Sequence, residues 1–247
     1  MIQSLKLTAL AAAIALSMTG CVSINNSSFY GGSVLGKGPL VEQTYPVTGY
    51  DAVEITGGFV VVYSNAPSDV VRIDIQENLL KYLNVSVEGE KLIIESSRSF
   101  STKQNHSPTI YLSTPHLKKL DVAGAIDLEQ ADTIQGDSFT LDVSGACSVK
   151  LDLEVQRLET ITSGASALEL SGTATDASFD IAGVGTFEAF GLQTKTAVVE
   201  IGGVGSGTIS CSDELTVDIG GMGALEYKGN PRVIQHGTMM GAVTKVG

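Results

Sequence analysis

A short element centred on glycine recurs through the second half of this 247-residue chain: Val122-Ala-Gly124, Val143-Ser-Gly145, Thr162-Ser-Gly164, Ile181-Ala-Gly183, Ile201-Gly-Gly203 and Ile219-Gly-Gly221. Successive glycines lie 21, 19, 19, 20 and 18 residues apart. Four residues before each glycine stand Leu120, Leu141, Thr160, Phe179, Val199 and Val217. Four after it stand Leu128, Val149, Leu168, Phe187, Gly207 and Leu225. The positions between are mostly polar, so the alternation has the period of two that marks strands. One such unit cannot bury its apolar side alone, whereas stacked units bury a continuous column with like residue above like.

This pattern predicts an all-β chain folded as a parallel β-helix, a solenoid with about 20 residues per coil. Each coil is expected to be a short strand, a glycine corner with positive φ, and a second short strand. A β-sandwich is the alternative. It needs tight hairpins, and the Asn-Gly and Asp-Gly pairs that favour them are absent. The 28 glycines argue against an all-helical chain, since each costs about 1 kcal/mol against alanine inside a helix.

The N-terminus is organised differently. Lys6 is followed by an apolar run from Leu7 to Ser17. That length suits a secretory signal over residues 1–20 and falls short of the roughly 20 apolar residues that span a bilayer. The run ends in Met18-Thr19-Gly20-Cys21, which resembles a bacterial lipobox, with Met18 where leucine is usual. The resemblance implies diacylglycerol on Cys21, hence membrane attachment through a lipid anchor. With Val22 after the cysteine, it also implies an outer-membrane address. An ordinary signal with an incidental cysteine is the alternative. Residues 21–45, rich in Ser, Asn and Gly, read as a flexible tether, and 46–243 as the folded domain.

Between residues 46 and 115 the repeat fades. Tyr50–Ile55, Phe59–Tyr63, Val71–Ile75, Val85–Val87 and Lys91–Glu95 read as strands, 78–83 as a helical turn, and the polar stretch 97–107 as a loop. The layout Tyr50-Asp-Ala-Val53, Leu92-Ile-Ile94, Pro115-His-Leu-Lys-Lys-Leu120, the glycine-centred coils and the closing Tyr227-Lys-Gly-Asn-Pro231 resembles the head GIN domain of putative auto-transporter adhesins. The resemblance covers about 46–243. It implies an exported, often lipid-anchored β-helical protein, and it brings no defined binding residues.

Charge narrows the partners. Fifteen Lys and Arg stand against 27 Asp and Glu, a formal net charge of −12. Nucleic acid is disfavoured, because its binding rests on basic residues neutralising phosphates. Nucleophilic chemistry finds no G-x-S-x-G elbow, and His106, His116 and His236 show no zinc spacing. The glycines of Gly202–Gly207 lack the Lys-Ser/Thr of a phosphate loop, and neighbouring repeats show the same spacing. Cys147 and Cys211 fall at different repeat positions three coils apart, too far for a disulfide, and read as free buried thiols.

Two columns of charge remain. Three residues before each glycine come Asp121, Asp142, Ile161, Asp180, Glu200 and Asp218. Five after it come Glu129, Lys150, Glu169, Glu188, Thr208 and Glu226. Stacked about 5 Å apart, like charges repel by about 0.8 kcal/mol per pair even in water. Asp180, Glu200 and Asp218 are therefore a candidate site for a divalent cation such as Ca²⁺; a solvated acidic face is the alternative. No other cofactor is indicated. The leading functional expectation is a non-enzymatic envelope lipoprotein whose β-helix face binds a glycan or a surface protein. A polysaccharide-active enzyme and an envelope scaffold are the alternatives, the first weakened by Lys150 being the sole base in the two acidic columns.

Overall fold

The computed structural model describes residues 32–102, 106–130, 132–237 and 241–247. The expected signal, Cys21 and the first part of the tether lie outside them. The rest of the expected tether is corrected: β1 (Val34–Leu35) and β2 (Leu40–Pro46) are strands. β2 runs antiparallel to β4 (Val70–Gln76), with Val41 opposite Ile75 and Tyr45 opposite Val71. Its Val41 and Tyr45 share one side of a period-two strand, and Tyr45 packs against the core. The Ser/Asn/Gly-rich composition thus ends before Leu40.

The domain is all-β. Between β2 and β4 lies β3 (Ala52–Ser64), and after β4 a 3-10 helix over Glu77–Tyr82 answers the expected helical turn. There follow β5 (Leu83–Glu88), β6 (Lys91–Ser96), β7 (Phe100–Ser101) and β8 (Thr109–Ser113). The repeat region forms β9 (Lys119–Gln130), β10 (Ile134–Ile181), β11 (Val184–Ile201), β12 (Val204–Ile219), β13 (Met222–Lys228), β14 (Arg232–Gly237) and β15 (Ala242–Lys245). β10 runs 48 residues through Gly145 and Gly164 without interruption, so the glycine corners bend the chain and leave the ladder intact.

The repeat columns appear as register. β9 and β10 pair in parallel with Leu120 beside Leu141 and Val122 beside Val143. β10 and β11 place Leu168 beside Phe187 and Phe179 beside Val199, and β11 and β12 continue with Val217 beside Val199. All of these side chains are buried. The ladder also has a member the sequence does not announce. β3 pairs in parallel with β9, with Ile55 beside Val122 and Gly57 beside Gly124. Gly57 thus begins the glycine column, and the segment from β4 to β8 is an excursion between two adjacent rungs.

The glycines serve two needs. Gly57, Gly124, Gly145 and Gly164 have φ of 146°, 115°, 107° and 113°, which favours glycine. Gly183, Gly203 and Gly221 lack positive φ, contrary to expectation. A Cβ on each would fall against the carbonyl oxygen of the glycine one rung earlier, so close backbone stacking requires them. Gly207 interrupts an otherwise apolar column because the Phe187 ring fills its place. That ring stacks on Phe179 with centroids 4.8 Å apart.

Candidate functional site

Because alternate side chains point inward, each rung leaves an outer surface whose composition is set by the columns, mostly polar but with Val184, Val204 and Met222 exposed in register just after the corner. The surface after the glycine corner is a shallow concavity of about 470 Å³ whose lining includes Asp127, Glu129, Gln130, Lys150, Glu169 and Glu188. Glu169 and Glu188 are register partners on adjacent rungs. Lys150 Nζ donates to Glu169 Oε1 at 2.7 Å, with both side chains more than half exposed, a pairing worth little in solvent. Gln130 is held firmly in this lining. Its amide nitrogen donates to the Asp152 carbonyl at 2.8 Å, and its amide oxygen accepts from the Asp152 N–H, so the side chain stands in for a strand partner. A second concavity presents Glu154, Gln156, Thr173, Thr175, Gln193 and Lys195. Surfaces of this kind, polar and hydroxyl-rich with mixed charge, can accept and donate many hydrogen bonds to an extended ligand.

The acidic column before the corner is arranged as the repeat requires. Asp121 stands beside Asp142, Asp180 beside Glu200, and Glu200 beside Asp218. Structure adds Glu54 before Asp121 and His236 after Asp218. Compensation at one end comes from lysines off the column: Lys91 reaches Glu54 at 2.7 Å, and Lys119 reaches Asp121 at 3.2 Å. Lys119 lies two residues before Asp121 on the same side of the strand, a lateral contact that reading the columns singly overlooks. Burial, and then the neighbouring Asp121, push the Asp142 carboxyl above its ordinary range.

Asp180, Glu200 and Asp218 are all exposed and in register. Among the described residues no group of three His, Cys, Asp or Glu converges as metal ligands would. Cys147 and Cys211 are free and buried, with Cys147 beside Ile126 in its column, and burial raises its thiol pKa. His116 and His236 are exposed, on a segment before β9 and on β14. Near the first rung, burial and then Asp132 and Tyr50 push the Tyr63 phenol up to about 12; its hydroxyl donates to the Thr114 carbonyl at 2.8 Å. That tyrosine is a structural anchor.

Solved structures with the same fold include a putative adhesin from Bacteroides fragilis (TM-score 0.78, 20% identity, 87% of this chain and 100% of that one). A putative adhesin from Parabacteroides merdae matches with TM-score 0.66 and 20% identity over 88% of this chain and 100% of its own. A putative lipid binding protein from Parabacteroides distasonis matches with TM-score 0.66 and 22% identity over 87% and 100%. No curated protein matches significantly. Residues 49–231 match the family described as putative auto-transporter adhesin, head GIN domain. With most of its length so matched, the chain belongs to that family.

Proposed function

We propose that this protein is a non-enzymatic, lipid-anchored cell-envelope protein. In this reading its parallel rungs form a β-helix of about 20 residues per coil that presents an outer face to a glycan or surface-protein partner. The observation that carries the reading is the in-register outer surface, which repeats polar side chains rung after rung along β9 to β13. A repeating surface suits a repeating or extended ligand. Family membership and the adhesin names of the fold relatives support a binding role.

Anchoring rests on Cys21, outside the described residues, and on the signal before it. Two or more acyl chains there would hold the protein stably at a membrane, with the outer membrane as the expected address. Pull-down of the lipidated protein from intact cells, with surface proteolysis as control, tests the partner. Palmitate labelling that survives Cys21→Ala would refute the anchor. Release of reducing ends or unsaturated products from a glycan panel would instead favour a polysaccharide-active enzyme working in the Lys150 concavity.

A further inference from the structure

The two ends of the parallel ladder are finished differently. Beyond β3 the sheet continues through β8, β4 and β2, and β6 and β5 flank it. The apolar column there is closed: Ile73, Ile75, Leu79 and Leu92 are fully buried. At the other end β14 pairs only with β12, and β15 only with β13, among the described residues. Val233 stands beside Leu215 and Val243 beside Leu225 in the last rung. Leu215 and Leu225 are fully buried, whereas Val233 and Val243 are only partly so. The apolar column therefore reaches the surface beneath two edge strands, whose outer N–H and C=O groups are a template for one more strand.

Charge selects the occupant. Residues 227–247 contain Lys228, Arg232 and Lys245 and no Asp or Glu, in a chain of net charge −12. All three cations are exposed. Arg232 meets Glu214 at 3.4 Å in a solvent-exposed pair, and Lys245 Nζ donates to Asn230 Oδ1 at 2.6 Å. Two copies joined at this end would set like charges together. Head-to-tail joining would need an open apolar column at the β3 end, which is closed.

We propose that this rung accepts an extended acidic segment of a partner protein as an added strand. The segment's alternate apolar side chains would cover Val233 and Val243, and its carboxylates would face Lys228, Arg232 and Lys245. The proposal is independent of the outer-face reading, because it uses the end of the ladder and residues mostly beyond the family match.

A short synthetic peptide alternating Glu with Val, and its Lys-with-Val counterpart, test it by titration calorimetry and amide exchange on the full chain. The expected result is binding of the acidic peptide about tenfold tighter than the basic one, or more, with slowed exchange confined to β14, β15 and their neighbours. The difference should shrink as salt rises from about 0.05 to about 0.5 M, as screening requires. The triple variant Lys228→Glu, Arg232→Glu, Lys245→Glu should lose the preference, and the milder triple change to Gln should reduce it. Equal binding of both peptides, binding without protection of β14 and β15, or no binding would overturn the proposal. So would concentration-dependent protection of these strands without peptide, which would identify a second copy as the occupant.

Discussion

Thr160 and Thr162 are the polar members of two otherwise apolar columns, and both are buried with 0% and 1% of their surface exposed. Neither hydroxyl has a hydrogen-bond partner. Their column neighbours are Leu141 and Phe179, and Val143 and Ile181. A buried hydroxyl left unpaired costs about 1–3 kcal/mol in proteins. Valine replaces the hydroxyl with a methyl of similar size and keeps the β-branch that suits a strand. Thr160→Val and Thr162→Val should each therefore raise stability by about 1–3 kcal/mol. A domain of this size gains about 2–4 °C in Tm per kcal/mol. Thr→Ser at the same sites keeps the hydroxyl and removes a buried methyl, worth about 0.8 kcal/mol before any cavity cost, so it should destabilise. Thermal melts and urea unfolding of the purified protein would measure both signs. Valine variants that are neutral or weaker would show the hydroxyls to be satisfied, by each other or by a buried water, and would refute the reasoning. A double variant more stable than the sum of the two single ones would point to mutual pairing, since each single change would orphan the other hydroxyl.

Gly207→Ala should cost about 1–3 kcal/mol by pressing a methyl into the Phe187 ring, and Phe187→Leu in the same chain should recover part of the urea midpoint. Gly183→Ala should lower Tm sharply because its Cβ meets the Gly164 carbonyl, whereas Gly202→Ala, with open space and no positive φ, should change stability by less than about 1 kcal/mol. Asp142→Asn should raise Tm at neutral pH. A carboxyl whose folded pKa is raised above its unfolded value disfavours the folded state once ionised, so the gain should fade as pH drops below about 4, where the native side chain is protonated in both states. Adding Ca²⁺ should leave Tm unchanged while Asp180→Asn with Asp218→Asn raises it; a Ca²⁺-induced rise lost in that double variant would restore the cation site.

The repeat was legible because burial acts on every rung alike: Leu120, Leu141 and Val199 announce one column whose spacing stays between 18 and 21 residues per rung. Gly57 escaped notice because the excursion from β4 to β8 separates it from Gly124 by several times that spacing. β2 was hidden by the Ser/Asn/Gly-rich stretch before it, although Val41 and Tyr45 already alternate. Gly207 was visible as a misfit, but only the position of the Phe187 ring explains it. In the acidic column the stacking and the Lys119–Asp121 pair, two residues apart on β9, were readable, and the reach of Lys91 to Glu54 from a neighbouring strand was not. Ion pairs between rungs depend on where long side chains lie, and residue spacing says nothing of that. The partly uncovered Val233 and Val243 likewise needed coordinates, since nothing in their sequence distinguishes them from buried Leu215 and Leu225.

Because Ala165 pairs with Val184 and the register runs in step to Glu169 beside Glu188 before one extra residue shifts it, the length of this strand ladder changes most smoothly in whole repeats. Excising residues 165–183 would join Gly164 to Val184 and bring Val184–Glu188 onto the positions of Ala165–Glu169, with the one-residue register shift falling after them. Removing a single residue from the same stretch would turn inward-facing groups to solvent as far as the next bend. Growth or loss by whole repeats is thus the route of size change that the strand register tolerates.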